Sequence, residues 1–215
     1  MIDVRMFTVG ELAENCFIVR AKGSDKAVII DPGAEAERLV KAARELGVSI
    51  EAILLTHTHF DHIGAVAPVA RATGAPVYCP ELETEVLANI MDFVPWPGFG
   101  PFESYDADHT VSGGDELELA GLTFDVLFTP GHSPGHVTYS VRGENALLSG
   151  DVLFQGSVGR VDLPGGDWPT LAASLELLVS SFPGETAVYP GHMGITSLGR
   201  EQATNPFLRE LAQHQ

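Results

Sequence analysis

The sequence predicts an α/β fold of four layers, in which two β-sheets pack face to face and helices cover both outer faces. Three observations predict it. Strand-like apolar runs open each half of the 215-residue chain, and helical patterns follow them. The apolar content of 45% and the charged content of 19% are typical of a globular protein. No repeat, low-complexity tract or linker interrupts the sequence, so we expect one domain over residues 1–215.

Short apolar runs bounded by glycine, proline or polar residues predict the strands of the two sheets. Residues 119–122 and 142–145 have the composition of tight turns, which predicts two hairpins. The predicted strands lie near residues 2–9, 15–21, 26–31, 51–56, 76–79, 116–120, 122–128, 136–141, 145–149 and 186–189.

Apolar residues at helical spacing predict the outer layers. In the first such segment Leu39, Val40, Ala43 and Leu46 share one face. Another segment begins with an acidic turn, residues 81–85, which favours a helix N-terminus. The predicted helices lie near residues 35–46, 64–73, 81–92, 168–181 and 198–212.

Residues 93–110 are rich in proline, glycine and aromatic side chains, which predicts a long irregular loop. Loops of this kind are often functional. Trp96, Phe99 and Phe102 form either a lid or acyl pocket, or an ordinary anchor for the loop.

Four side chains that bind metals follow the apolar run at residues 53–55. They are His57, His59, Asp61 and His62, in the pattern H-x-H-x-D-H. Neutral imidazoles and a carboxylate at this density contribute little to a core and much to a cation. The end of a buried strand holds such ligands rigidly and leaves room beside them for a substrate. The segment therefore predicts a metal site at a strand end.

Three further candidate ligands repeat one arrangement of strand, glycine turn and ligand. They are His132, Asp151 and His192, each directly after a glycine. Glycine lets the backbone bend sharply and direct the next side chain outward. Seven ligands are too many for one small transition ion and suit two, with Asp151 as a bridge between them. Neither cysteine is a plausible ligand, so the all-nitrogen and oxygen set suits zinc first, with iron or manganese as alternatives.

The net charge of −17 argues against a nucleic acid or an anionic membrane as partner, because both need basic surfaces. Only two cysteines are present, Cys16 and Cys79, in different segments, so we expect no disulfide framework. No signal-peptide pattern and no long apolar stretch is found, which predicts a cytoplasmic protein. The expected partner is a small molecule, and the expected state is a monomer or small homo-oligomer.

Together these motifs resemble those of the metallo-β-lactamase superfamily, from Asn15-Cys16-Phe17 through Asp31-Pro32-Gly33 to His192. The resemblance implies an αββα sandwich with the metals at one edge, between the sheets. It also implies how the ligands divide between two metals, with Asp151 bridging them. The first metal is then bound by His57, His59 and His132, and the second by Asp61, His62 and His192.

Within that superfamily the sequence is similar to the short, single-domain type II glyoxalases. The similarity lies in residues 131–136 (GHSPGH), 150–154 (GDVLF), 159–167 (GRVDLPGGD) and 204–208 (TNPFL). It implies hydrolysis of S-lactoylglutathione or a related acyl-thiol, with Arg160 near the substrate. The tyrosines that hold glutathione in the classical enzymes correspond to Asp162 and Gly194, which leaves the thiol carrier open.

The β-lactamases of the superfamily have a different ligand pattern. They lack the last histidine of the first motif and use a cysteine as a ligand of the second metal. Here His62 and Asp151 take those roles, so antibiotic hydrolysis is not expected. The predicted nucleophile is a hydroxide held between two metals, with Asp61 orienting it and Asp151 bridging. The main alternative is a persulfide dioxygenase with one Fe(II) on His57, His132 and Asp151. A lactonase or another ester hydrolase is a further alternative.

Several other polar residues have ordinary interpretations. His136 is expected to be a structural hydrogen-bonding histidine, and Asp31 a turn cap or a carboxylate that orients a ligand histidine. His109 and His214 are expected to be solvated. Arg160 either clamps the substrate or pairs with Asp162 or Asp167.

Overall fold

The first sheet contains six strands, which lie side by side in the order in which they occur in the sequence. The structure is a computed structural model that describes residues 1–213. The strands are β1 (Ile2–Val9), β2 (Glu14–Ala21), β3 (Lys26–Ile30), β4 (Ser49–Leu54), β5 (Val77–Pro80) and β6 (His109–Val111). The first three strands pair antiparallel, and β3 to β6 run parallel.

The second sheet uses strands from the rest of the chain. These are β7 (Glu116–Leu119), β8 (Leu122–Phe128), β9 (Val137–Val141) and β10 (Ala146–Gly150), then, after the small hairpin of β11 (Leu153–Phe154) and β12 (Ser157–Val158), β13 (Ala187–Pro190) and β14 (Thr196–Ser197). The order across the sheet is β14-β13-β10-β9-β8-β7. All its pairs are antiparallel except β10 with β13. The two predicted hairpins are confirmed, since Leu119 pairs with Leu122 and the turn at 142–145 joins β9 to β10.

Helices form the outer layers. They are α1 (Ala36–Glu45), α2 (Phe60–Ile63), α3 (Val66–Thr73), α4 (Thr84–Ala88), α5 (Trp168–Ser181), α6 (Leu198–Thr204) and α7 (Pro206–Leu211), with 3₁₀ turns at Glu81–Glu83 and Ile90–Phe93.

Alternation along the strands produces the four layers. In β2, Phe17 and Val19 pack between the sheets, whereas Ile18 joins the cluster shared with α1 and α3. A third cluster joins buried residues of β10 and β13 to those of α5, with Leu147 and Leu175 among its members. The predicted sandwich of two sheets between helices is therefore confirmed.

Two of the predicted helices are wrong as continuous elements. The segment 81–92 is three short pieces, because Asn89 has a non-helical backbone and its side chain donates to the Glu85 carbonyl. The segment 198–212 is interrupted at Asn205, since the residue before Pro206 is held extended. Asn205 then caps α7 by accepting from the Phe207 amide.

Smaller differences concern short elements. Helix α3 begins at Val66, after the separate turn of α2, and the strands β6, β11, β12 and β14 were not predicted. Strand β6 shortens the predicted irregular loop by taking up His109, whose side chain is exposed as expected. His214 lies outside the described residues. Among residues 1–213, no helix combines the length and apolarity that crossing a bilayer requires.

Candidate metal centre

The seven predicted ligands meet at one edge of the sandwich, between the two sheets. Residues 57–62 follow β4 of the first sheet. His132, Asp151 and His192 follow β8, β10 and β13 of the second. The hydrogen bond from the Val137 amide to the Thr56 carbonyl, 2.8 Å, ties the two sheets together at this edge.

Three imidazoles form the first cluster, which we call the three-histidine group (His57, His59 and His132). The Nδ1 atom of His59 lies 3.1 Å from His57 Nε2 and 2.8 Å from His132 Nε2. Ligand atoms of a tetrahedral zinc ion, each about 2.0–2.1 Å from the metal, are roughly 3.3 Å apart. The three nitrogens therefore converge at nearly the separation that one ion requires.

The second cluster, the mixed group, consists of Asp61, His62 and His192. The Oδ2 atom of Asp61 lies 3.3 Å from His192 Nε2 and 4.0 Å from His62 Nε2. One carboxylate and two imidazoles again present three ligand atoms toward a common point.

Asp151 lies between the two groups. Its Oδ1 is 3.4 Å from His62 Nε2, and its Oδ2 is 3.4 Å from His132 Nε2 and 3.5 Å from His192 Nε2. Both Asp151 Oδ1 and His62 Nε2 are buried without a hydrogen-bond partner. Buried polar atoms are rarely left unsatisfied, so these orphaned atoms fit residues that hold divalent cations.

Asp31 orients one histidine of each group. Its carboxylate accepts from the Thr56 amide at 2.7 Å and hydroxyl at 2.5 Å, and it lies 3.1 Å from His62 Nδ1. The Thr56 hydroxyl is in turn 3.1 Å from His57 Nδ1. Asp31 therefore makes the contacts expected of a carboxylate that orients candidate ligand histidines.

Two more hydrogen bonds fix ligands of the second sheet. The Nδ1 of His132 donates to the Arg160 carbonyl at 2.8 Å, which leaves Nε2 as the ligand atom. His136 accepts from the Asp151 amide through Nε2 at 3.0 Å and pairs with the Thr129 hydroxyl through Nδ1. His136 is therefore the structural histidine that the sequence predicts, and it holds the backbone of the bridging residue.

Glu83 is a supporting residue that sequence reasoning missed. Its buried carboxylate accepts from Ser133 Oγ and the Gly135 amide on one oxygen, at 2.6 and 2.8 Å. The other oxygen accepts from the hydroxyl and amide of Thr58, at 2.6 and 3.2 Å. One carboxylate thus joins the segment that carries His57 to the segment that carries His132. Only its position in an acidic run was visible in the sequence.

Asn15 supports the remaining ligand segment. Its amide nitrogen donates to the carbonyls of Pro190 and Met193 at 3.1 and 2.8 Å, and its backbone amide donates to the Gly191 carbonyl at 2.7 Å. These three bonds surround His192. The adjacent Glu14 is 1% exposed, its carboxyl oxygens have no hydrogen-bond partner, and one of them lies 3.9 Å from His62 Nδ1. Burial raises the pKa of Glu14 well above its usual range.

The glycines before the ligands serve two different purposes. Gly131 and Gly150 have φ values of +126° and +47°, which only glycine adopts easily. Gly191 has no such backbone, but a Cβ there would lie 2.2 Å from Asp151 Oδ1. The turn geometry explains the first two, and close packing against a ligand explains the third.

The two groups differ in their proton affinity. Burial, followed by the neighbouring imidazoles, lowers the pKa of His57 well below its usual range and that of His59 to about 4. Burial also acts on His62, but the charges of Asp151 and Asp61 outweigh it and raise its pKa well above the usual range. The pKa of His192 is raised as well, because its hydrogen bond to Asp61 and the charge of Asp151 outweigh burial. The pKa of Asp151 is lowered despite burial, chiefly by His62.

A cavity of about 610 Å³ opens beside the ligands. Phe60, between two ligand residues, packs on Phe99 and Phe102 with ring centroids 5.0 and 5.6 Å apart. These two rings anchor the loop, whereas Trp96 lines the cavity. Arg160 also lines it and pairs with Asp162, which is one of the two alternatives left open by the sequence.

Comparison with known proteins gives a consistent result. The family model of the metallo-beta-lactamase superfamily matches residues 9–192. A probable metallo-hydrolase of Bacillus subtilis, YqgX, is 39% identical over 209 residues, covering 95% of this chain and 96% of that protein. The hydroxyacylglutathione hydrolase GloC of Haemophilus influenzae is 32% identical over 209 residues, covering 96% and 98%.

Solved structures match over the same length. The crystal structure of BLEG-1 B3 metallo-beta-lactamase has a TM-score of 0.89 at 39% identity, covering 96% of this chain and 99% of that one. TTHA1623 in a di-iron-bound form has a TM-score of 0.84 at 43% identity, covering 95% and 100%. ETHE1 from Myxococcus xanthus has a TM-score of 0.77 at 26% identity, covering 99% and 91%.

Proposed function

We propose that this chain, which belongs to the metallo-beta-lactamase superfamily, is a metal-dependent hydrolase of thioesters. Its substrate in this proposal is S-lactoylglutathione or a related acyl-thiol. The similarity to a hydroxyacylglutathione hydrolase over nearly the whole chain supports this choice. The observation that carries the proposal is the position of Asp151 between two groups of three ligand atoms.

In this proposal the three-histidine group would hold one divalent cation and the mixed group a second, with Asp151 as a candidate ligand of both. Zinc is our first choice, and iron or manganese also suits nitrogen and oxygen ligands. The di-iron-bound form of the 43% identical TTHA1623 supports a pair of ions. Two such cations activate water near neutral pH and polarise a carbonyl group.

The side chains then supply orientation and proton transfer. Asp61 is 14% exposed on the cavity side, and His62 and His192 keep its pKa low despite burial. Its ionised carboxylate accepts a hydrogen bond from the attacking water and orients it toward the acyl carbon. The water oxygen forms the new C–O bond, the C–S bond breaks with its electron pair on sulfur, and one proton of the water ends on the thiolate. The products are a carboxylic acid and a thiol.

One purified preparation tests the proposal. We expect elemental analysis to find two transition metals per chain, S-lactoylglutathione to be hydrolysed, and an oxygen electrode to record no uptake. A single iron per chain with oxygen consumed would replace the hydrolase by the alternative oxygenase on His57, His132 and Asp151. That alternative has its own geometric support, since His132 and Asp151 are 3.4 Å apart.

A second candidate is hydrolysis of a β-lactam. The specific observation that favours it is the 39% identity to BLEG-1, whose crystal structure is described as that of a B3 metallo-beta-lactamase. The same two-cation chemistry would open an amide in place of a thioester. Assaying a β-lactam and a simple lactone beside the thioester, at equal concentration, ranks the three reactions by kcat/KM. The proposal requires the thioester to rank first.

A further inference from the structure

The cavity beside the metal centre is lined by ligand side chains and by apolar groups from separate parts of the chain. At about 610 Å³ it falls within the usual range for a small-molecule site. The apolar lining includes Leu12, Val86, Ile90, Phe93, Trp96 and Leu163. Of these, Phe93 and Trp96 are 47% and 36% exposed, although they are large aromatic side chains. Exposed apolar surface in a cavity that contains catalytic ligands indicates contact with an apolar part of the substrate.

The apolar wall is fixed relative to the ligands. Phe60 stands between His59 and Asp61, and its ring lies 6.0 Å from the Trp96 ring in an edge-to-face arrangement. The same Phe60 ring packs on Phe99 and Phe102. Trp96 is therefore held by the segment that carries two of the ligands, so its distance from the reacting carbonyl is set by the fold.

Apart from the candidate metal ligands, the charged side chains that line the cavity do not favour an anionic group. Within residues 1–213, Arg160 is the one lysine or arginine that lines it. Its Nε and terminal nitrogen donate to the two oxygens of Asp162 at 2.6 and 2.7 Å, and its guanidinium carbon lies 5.5 Å from the Trp96 ring centroid. The cation is thus already paired. Asp92 also lines the cavity and is exposed. A carboxylate at the end of an acyl chain would therefore meet the Asp92 carboxylate and no unpaired lysine or arginine, while the cations of the proposed centre would be occupied by their ligands and by the reacting carbonyl.

We infer that this cavity receives the acyl group of the substrate and selects apolar acyl chains, aliphatic or aromatic, over acyl chains that carry a carboxylate. The inference rests on the proposed thioester hydrolysis. Burying one methylene contributes about threefold to fourfold in affinity. A hexanoyl group has four more methylenes than an acetyl group. We expect part of the corresponding gain in affinity, because only part of the chain is buried against Trp96.

Acyl-glutathiones with one constant thiol test the selection. We expect kcat/KM to rise roughly 10- to 100-fold from S-acetyl- to S-hexanoylglutathione. S-succinylglutathione, which matches S-butanoylglutathione in chain length but carries a carboxylate, is expected to be at least about tenfold poorer than it. The inference would be overturned if kcat/KM were equal for the acetyl and hexanoyl substrates and also equal for the butanoyl and succinyl substrates.

Two variants assign the selection to the cavity. Trp96→Ala is expected to remove most of the hexanoyl advantage, measured as the ratio of kcat/KM for S-hexanoyl- to that for S-acetylglutathione. The matched control is Phe207→Ala, because Phe207 is also 36% exposed but lies on α7, outside the lining. Leu12→Lys adds a free cation and is expected to raise the succinyl rate several-fold while it lowers the hexanoyl rate. A gained succinyl rate in Leu12→Lys cannot come from misfolding. If Leu12→Lys does not raise the succinyl rate and Trp96→Ala keeps the hexanoyl preference, the acyl group lies elsewhere.

Binding of thioethers, which cannot be hydrolysed, separates this inference from the proposed function. By calorimetry on the metal-loaded protein we expect S-hexylglutathione to bind at least about tenfold more tightly than S-methylglutathione. Equal affinities would refute the apolar selection even if thioesters are hydrolysed. Tighter hexyl binding without any thioester hydrolysis would refute the proposed reaction and keep the apolar site.

Discussion

The three-histidine group and the mixed group face each other across Asp151, but they compete with protons to different extents. The pKa values of His57 and His59 are lowered by burial and by their imidazole neighbours. Those of His62 and His192 are raised by Asp61 and Asp151. Protons therefore compete only weakly with a cation for the first pair, whereas they compete more strongly for the second pair.

The carboxylates that raise these pKa values also supply the negative charge that attracts the second cation. Protons and a cation therefore compete for the same negative charge at the mixed group. The two halves therefore differ in pH dependence more than in ligand number, since each presents three ligand atoms besides Asp151.

Removing one histidine from each half gives the largest expected effect. His132→Ala should lower thioesterase activity on the order of 10³-fold, since losing the cation removes several kcal/mol of transition-state stabilisation. His192→Ala should leave the ion of the three-histidine group in place and release only the second. Metal content per chain, measured on both variants at saturating metal, checks the difference. Circular dichroism provides the folding control.

The division into halves would be refuted if both variants lost the same fraction of metal. That outcome would describe one cooperative site, in which the ions bind and leave together.

Acid should separate the halves without any mutation. As pH falls from about 8 to about 5, protons compete for His62 and His192, and the second ion's affinity should fall roughly tenfold per pH unit for each proton displaced. His59, with its pKa lowered to about 4, stays neutral over that range, so the first ion is retained. Dialysis at a series of pH values followed by elemental analysis should show two steps, with the second ion lost at the higher pH. A single step would contradict the pKa order.

The convergence of the candidate ligands of both halves was predictable from the sequence, because each of these residues is local to a strand end. The pattern of residues 57–62 and the three glycine–ligand pairs needed only short-range information. The four-layer sandwich followed from the same runs of apolar residues. All seven side chains converge as predicted, at the edge where strands of both sheets end.

The supporting residues were not predictable, because their partners are far away in the sequence. Glu83 bonds to Ser133 across 50 residues, and Asn15 bonds to Pro190 across 175. In helix 81–92 local apolar spacing suggested continuity, but Glu83 turns its carboxylate toward Thr58 and Asn89 ends the helical turn. Tertiary contacts overrode local preference at this point.

Asn15 offers a smaller and more selective change to the mixed group. Asn15→Ala removes the two side-chain bonds to the carbonyls on either side of the His192 segment. We expect the affinity for the second ion to fall about 10- to 100-fold, as is usual when a residue that orients a ligand is lost, with the first ion unchanged. Competition with a metal chelator measures both affinities. Thr8→Ala is the matched control, since Thr8 only donates to Asn15 Oδ1 at 2.9 Å and leaves the carbonyl bonds intact. Equal losses from both ions would show that Asn15 supports the fold in general.

Glu14 gives the smallest expected effect and the finest test of the electrostatics. Because burial raises the pKa of Glu14, the folded metal-free protein keeps its proton at a pH where the unfolded chain has lost it. This group therefore lowers stability as pH rises above the ordinary glutamate value, and it has no effect below that value. Glu14→Gln removes the titration while preserving shape. In the metal-free protein the variant should match the parent in urea unfolding at about pH 4 and exceed it in stability at about pH 7. A variant that is instead less stable at the higher pH would mean that Glu14 is ionised beside His62, in addition to the carboxylates of Asp31, Asp61 and Asp151 that already surround this histidine.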